Sequence, residues 1–404
     1  MPKQGATARR RLRDQPQRAL LFPFTEGTWG HTVRLVALGE QLQRHGYDVT
    51  LACPDSLKQI ARRHGMDTVS FVGMREQRFL SARSRAELRS AARTLSKELT
   101  KFRKVITTVG PAVVVSDLQP IANVAAALEC LPSAAVLNAE LLRQPFEWWL
   151  PGIQRALAPA QIPKWTKDRI FGDLLLLADS PEVIGLRDLP TEVANALFKS
   201  VREVRYVGAI QRTLPRWRFV PRRRPRVLVS FGLAGSRKWL APTLAGLGGL
   251  SIDLVAVTGG TSSSSIVRAA SEFTRVGPGS CRLVSSLADF SMHVAQAGLL
   301  ITHGGHGTLV EALTIGVPTL VIPSSEEREL NAERVLGLGK VAPPDRDQLR
   351  HVLADMAMAL MKDREGDHRR RVCADKLRAG RGAALAAESI VELVNSKPRG
   401  QPLG

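Results

Sequence analysis

Cysteine is scarce and scattered. Cys53, Cys130, Cys281 and Cys373 form no CxxC pair and no cluster at zinc spacing, which excludes a disulfide scaffold and a thiolate zinc module. Acidic residues are the second shortage: 37 Asp and Glu face 57 Lys and Arg, a formal net charge of +20. Such an excess points to an anionic partner (nucleic acid, an acidic membrane, or a phosphorylated small molecule) without choosing among them. No apolar run approaches the ~18 residues of a spanning helix; stretches such as Leu174 to Ala178 suit a strand or a core helix. The opening MPKQGATARRRLRDQPQRA has no apolar core after its basic residues, so no secretory signal is expected and a soluble, reducing, cytoplasmic setting is the simplest expectation.

What remains is an ordinary globular composition, 44% hydrophobic and 23% charged over 404 residues, long enough for two or three domains. Residues 1–18 read as a basic tail. RALLFPF (Arg18 to Phe24) then runs into a Gly-containing turn, an amphipathic stretch from His31 to Arg44, and YDVTLACP (Tyr47 to Pro54). Strand, helix, strand is the opening of a parallel sheet covered by helices. AVVVSD (Ala112 to Asp117) has the Val run of a strand buried on both faces and ends in an acid. Arg212 to Arg226 holds three Pro and seven Arg, fits no periodic element, and reads as a linker. Beyond it the plan restarts with RVLVSFG, DLVAVTGG, GLLITHGG and PTLVIP. The expected domains are 19–211 and 227–380, joined by 212–226 and followed by a closing helix and tail at 381–404. Each is an open α/β sheet whose ligands bind beyond the carboxyl ends of the strands.

The densest local signal is LLITHGGHGTLVEALTIGVPTLVIP, Leu299 to Pro323. A strand ends at Thr302, and a glycine-rich turn leads into a helix expected to begin near Leu309. Glycines let backbone approach a ligand, and free amides at a helix start favour phosphate. Thr308 adds a hydroxyl and His303 a ring N–H, cationic if a phosphate raises its proton affinity. Glu311, expected in the first helical turn, suits sugar hydroxyls better than phosphate.

These residues, followed by NAERVLGLG (Asn331 to Gly339), resemble the donor-binding signature of UDP-glycosyltransferases with the two-domain GT-B fold, bacterial antibiotic and macrolide types included. GTWGHTVRLVALGEQLQRHGYDVTLACP, VVVSD, VRYVGAI and VLVSFG resemble further stretches of that family in the same order, so the resemblance covers all but the basic tail. It implies two Rossmann-like domains with parallel sheets facing a central cleft. His303, Gly305, Gly307 and Thr308, with Gly232 and Ser236 of SFGLAGS, would meet the donor diphosphate; Glu311 would hold the ribose, and Glu327 and Arg328 the donor sugar. Arg328 departs from the usual Gln and cannot accept a hydrogen bond. Leu287 stands where many members carry a Trp stacked on the base. The resemblance makes His31 the general base and Asp117 its orienting partner, in an inverting transfer. Arg34 replaces a Pro common three residues after that His, and the position of His306 is variable.

UDP-sugar is the expected donor, with a deoxythymidine donor second, because Glu311 suits a ribose. No cofactor or metal is expected: Asp345 and Asp347 read as a helix-start cap. The acceptor is expected to be a small molecule such as a secondary-metabolite hydroxyl; a lipid acceptor at an anionic membrane surface is the alternative. Phe146, Trp148, Trp149 and Leu150, and the cationic segment Met74 to Lys104, suit either acceptor as well as plain core packing or a solvated face. The arginines are spread over tail, linker and helices without a nucleic-acid module, so nucleic acid is not expected.

Overall fold

The computed structural model describes residues 16–25, 30–73, 85–142, 162–179, 195, 197, 201–212, 214–218, 223–261, 263–287, 289–335, 337–343, 345–379 and 381–396. The chain divides into two units, residues 1–210 with 381–404, and residues 211–380.

The first unit carries a seven-stranded sheet in the order β3-β2-β1-β4-β5-β6-β7. Its strands are β1 (Arg18–Pro23), β2 (Asp48–Cys53), β3 (Asp67–Ser70), β4 (Val113–Asp117), β5 (Ser133–Leu137), β6 (Leu174–Leu177) and β7 (Glu203–Tyr206), and every pairing is parallel. The side-chain period of two sorts these strands into two cores. Leu20, Phe22, Val114, Ala135, Leu137, Leu175 and Leu177 face one layer, built with the helices Arg85–Val109 and Pro120–Leu128. Ala19, Leu21, Val113, Val115, Ala134, Val136, Leu174 and Leu176 face the other, which contains Gly30–Arg44 and Gly382–Ser396. A sheet buried on both faces needs apolar residues at consecutive positions, hence the unbroken Val and Leu runs. Phe102 closes the first layer, its ring 5.0 Å from Phe22 and 4.6 Å from Phe71. The last helix thus returns to the first unit, where Gly382 lies so close to Ala209 that a Cβ would stand 1.8 Å from its carbonyl oxygen.

The second unit has a six-stranded parallel sheet in the order β10-β9-β8-β11-β12-β13. Its members are β8 (Arg226–Ser230), β9 (Asp253–Val257), β10 (Ser280–Val284), β11 (Leu299–Thr302), β12 (Thr319–Val321) and β13 (Lys340–Val341). Val227, Val229, Leu299 and Ile301 face one core, Leu228 and Leu300 the other. The proline- and arginine-rich stretch ahead of β8 is held along this unit. The Trp217 amide donates to the Ile315 carbonyl at 2.9 Å and its indole N–H to the Ala297 carbonyl at 2.8 Å, while Arg378 donates to the Pro215 carbonyl at 2.8 Å. An aromatic with a polar tip can dock a stretch whose prolines forbid a regular element. Asp345 caps the helix Arg346–Lys362 by accepting from the amides of Asp347 and Gln348, at 3.0 and 2.8 Å. Among the described residues, no helix is long and apolar enough to cross a membrane.

Candidate active site

In both sheets the strand order reverses direction at one point, between β1 and β4 in the first and between β8 and β11 in the second. At a reversal, the connections from neighbouring strands leave towards opposite faces and open a crevice at the strands' carboxyl ends. Of the residues singled out from sequence, His31 and Asp117 stand at the first of these points, and Gly232, His303, Gly305, Gly307 and Thr308 at the second.

In the first unit β4 ends at Asp117, opposite Pro23 of β1, and the Asp117 carbonyl accepts from the Phe24 amide at 2.9 Å. Leu118 follows in the left-handed region at φ 53°, a costly conformation for a branched residue that turns the chain sharply away after the carboxylate. The helix Gly30–Arg44 brings His31 over this end; its Nδ1 lies 2.8 Å from Asp117 Oδ1, and Phe24 meets the imidazole edge-on at 5.5 Å between ring centres. His31 is partly open to solvent and Asp117 is not, with side-chain exposures of 16% and 0%.

A third residue joins the pair. Arg34, one turn after His31 and itself buried, donates from Nε to Asp117 Oδ2 at 2.7 Å, from Nη2 to Asp117 Oδ1, and from Nη1 to Asn138 Oδ1. Its Nη2 also lies 3.2 Å from His31 Nδ1. Burial by itself raises the Asp117 carboxyl; the Arg34 guanidinium and the His31 ring oppose it and hold the group at about 2. In the sequence Arg34 stands out only as a missing proline. The signal that could have found its role is a charge in the run Thr32 to Leu38, of which Val33 alone is exposed: arginine is buried only where a partner awaits it.

In the second unit, β11 ends at Thr302 and the next helix is His306–Ile315, beginning three residues before the expected Leu309. Gly305 is its N-cap and supplies no side-chain cap, so the amides of His306, Gly307 and Thr308 occupy the first turn, where no intrahelical acceptor exists for them. Gly304 makes the turn at φ 85°, and its carbonyl accepts from the buried Asn331 side chain at 3.0 Å. A Cβ there would come within 2.9 Å of the Arg328 carbonyl oxygen, so the position belongs to glycine. Gly232, at φ 63° after β8, lets its helix start against the His303 ring; a Cβ would stand 3.4 Å from His303 Cε1.

Two expectations change here, at Ser236 and at the turn that carries Glu311. Ser236 is fully buried and its hydroxyl donates to the Gly232 carbonyl at 2.7 Å, so it secures the helix turn and is not open to a phosphate. Glu311 falls in the second turn of the earlier-starting helix, where it accepts from the Ser291 hydroxyl. Burial first, then Asp289, raise its carboxyl against that hydrogen bond. His303 is held neutral: burial, then the Arg328 guanidinium, lower it to about 3 against a hydrogen bond to the Ser230 backbone. Its Nδ1 and the Thr302 hydroxyl are buried without a hydrogen-bond partner. Arg328 donates to Ser324. The Glu327 side chain, the tail 1–15, residues 74–84 and the aromatic cluster 146–150 lie outside the described residues, whereas Leu287 packs against the apolar cluster of Val294 and Leu300.

The depressed His303 value has a consequence for stability. The unfolded ring takes a proton near pH 6.5 and the folded ring only near 3. The unfolded state thus binds more protons in that window, and stability falls as pH drops through it, by up to about 1.4 kcal/mol per pH unit. Above pH 6.5 the effect is absent. His303→Gln is expected to lower the midpoint pH of acid unfolding followed by tryptophan fluorescence; an unchanged midpoint would contradict a buried neutral ring.

Residues 283–342 match the glycosyltransferase family 28 C-terminal domain. A PGL/p-HBAD biosynthesis rhamnosyltransferase of Mycobacterium bovis (strain BCG / Pasteur 1173P2) is 26% identical over 364 residues, 79% of this chain and 75% of its own. A zeaxanthin glucosyltransferase of Pantoea ananas is 30% identical over 234 residues, 56% of this chain and 51% of its own. Among solved structures, the calicheamicin glycosyltransferase CalG4 superposes with a TM-score of 0.67 at 19% identity, covering 94% of this chain and 99% of that one. The glycosyltransferase SnogD from Streptomyces nogalater gives 0.65 at 21%, covering 94% and 100%. The chain is a glycosyltransferase with the GT-B fold.

Proposed function

We propose that this glycosyltransferase moves a sugar from a nucleotide diphosphate-sugar, UDP-sugar ahead of dTDP-sugar, to a hydroxyl of a small-molecule acceptor, with inversion at the anomeric carbon. The observation that carries the reading is the His31–Asp117 pair at the carboxyl end of β4, a base oriented by a buried carboxylate. Nδ1–H of His31 donates to Asp117, which leaves Nε2 to take the acceptor's proton. As that O–H bond breaks, the oxygen attacks the anomeric carbon and the bond to the diphosphate breaks in line, its electron pair leaving with the phosphate oxygen. The amides of Gly307 and Thr308 and the Thr308 hydroxyl meet that developing charge. Glu311 accepts from the ribose, while Glu327 and Arg328 are assigned to the sugar. The scheme calls for no metal or cofactor.

The relatives named for rhamnosyl and glucosyl transfer support a hexose or 6-deoxyhexose donor. Those named for calicheamicin and zeaxanthin support a secondary-metabolite acceptor. A panel of UDP- and dTDP-sugars, read by thermal shift and by hydrolysis, tests the donor: UDP-sugars are expected to raise Tm most, and a panel in which no nucleotide sugar shifts Tm or is hydrolysed would reject the reading.

A further inference from the structure

We infer that Arg34 is a positioning residue for the base, one that holds the Asp117 carboxylate where it selects the productive imidazole tautomer. This rests on reading His31 as the base. Asp117 is shared: its Oδ2 accepts from Arg34 Nε at 2.7 Å, and its Oδ1 accepts from both Arg34 Nη2 and His31 Nδ1, the latter at 2.8 Å. A two-pronged hold fixes the carboxylate plane as well as its position. The guanidinium is fixed in turn by Asn138 at the end of β5, and that end is pinned by the Ala139 amide donating to Asp179 Oδ2 at 2.6 Å. Arg34 from the helix start, Asp117 and Asn138 at the ends of β4 and β5, and Asp179 just after β6 thus set where the imidazole stands.

The arrangement chooses the tautomer. His31 Nδ1 faces an acceptor at 2.8 Å, Asp117 Oδ1, and a donor at 3.2 Å, Arg34 Nη2. The shorter contact to the charged acceptor places the proton on Nδ1 and leaves Nε2 basic. Had the guanidinium donated to Nδ1 instead, Nε2 would carry the proton and could accept none.

The arrangement also changes what Asp117 can do. In a simple His–Asp pair, the carboxylate's whole charge is available to an imidazolium. Here an arginine, charged at any working pH, already balances it. A proton taken up by His31 therefore sits beside a cation as well as an anion. Among the described residues, charged groups on neighbouring elements are engaged elsewhere: Glu388 and Glu392, on the helix packed against Gly30–Arg44, with Arg381 and Arg205, Asp55 with Lys58, and Glu40, further along the same helix, with His64. Among the described residues, Arg34 and Asp117 are the charges that bear on the ring.

The test follows the His31 ring directly. In protein labelled at the histidine ring nitrogens, the His31 resonances are those missing from a His31→Asn spectrum. At about pH 8, where an imidazole is neutral, the wild-type ring is expected to carry its proton on Nδ1, whereas in Arg34→Gln part of the population should carry it on Nε2. A folded Arg34→Gln protein whose ring stays wholly in the Nδ1–H form overturns the inference. If Arg34→Gln does not fold, the comparison is made in Arg34→Lys, which keeps a cation beside Asp117 but gives up the two-pronged hold: the Nε2–H form should again appear, and its absence overturns the proposal. At the same pH kcat should fall with the share of Nδ1–H ring while KM for the donor is unchanged. A ring that changes tautomer while kcat does not removes His31 as the base and leaves the positioning standing, so the two readings fail separately.

Discussion

His31→Ala is expected to lower kcat by about a thousandfold, within the range general-base catalysis supplies, while nucleotide affinity stays within about twofold of wild type. The residues assigned to the donor lie in the other unit, around Gly305–Thr308, so binding and turnover are expected to separate cleanly. The structure also makes this a safer probe than its partner. Without His31, Asp117 retains both hydrogen bonds from Arg34, so no buried charge is stranded. Removing the Asp117 carboxylate would leave a buried guanidinium with only Asn138, and breaking such a pair costs about 3–5 kcal/mol. Loss of activity in an Asp117 variant therefore mixes chemistry with folding, and loss in His31→Ala does not. The measurements are kcat on a hydroxyl acceptor and nucleotide titration by calorimetry. Wild-type turnover in His31→Ala would end the assignment of the base.

Much of this architecture is legible in the amino-acid sequence, for a physical reason. Strands buried on both faces must be written as unbroken Val and Leu runs, and a turn with positive φ pressed against neighbouring backbone, as at Gly304, must carry glycine; AVVVSD and THGGHG announce themselves. The edge strands are less legible. β10, SCRLV, has no fully buried residue, and β13 is two residues long, so neither shows a strong period. The helix at His306 starts early because its first turn is HGT, without the apolar residues by which a helix start is recognised; the apolar face begins at Leu309. The resemblance assigns Ser236 to the diphosphate, but a serine four residues into a helix bonds back to the preceding turn as readily as outward. Arg34 is the instructive omission. Its role depends on Asp117 and Asn138, 83 and 104 residues away in the chain, and no local pattern contains that distance. What the sequence does contain is a cation inside an apolar helix face, and that alone calls for a partner.

Glu311→Gln is expected to reduce affinity for UDP by roughly ten- to a hundredfold, the worth of a hydrogen bond to a charged acceptor, and affinity for dTDP by less, since a deoxyribose offers one hydroxyl fewer. At the same time the unliganded protein should become more stable. The two effects have one cause. Burial, then Asp289, raise the Glu311 carboxyl above its ordinary value, and only the Ser291 hydroxyl opposes them. The folded state thus holds this proton more tightly than the unfolded one. At neutral pH, where the group is ionised when unfolded, folding is penalised, and the penalty is relieved as pH falls through the raised value. A neutral amide of the same shape removes the penalty and, with it, the charge that grips the ribose. Calorimetric titration with UDP and dTDP, beside the Tm of the free protein, separates the outcomes. A variant that is weaker for UDP, less affected for dTDP and higher in Tm identifies a carboxylate kept under strain for its ligand. Equal losses for both nucleotides would place Glu311 away from the hydroxyl that distinguishes them, and unchanged UDP affinity would take it out of the donor site.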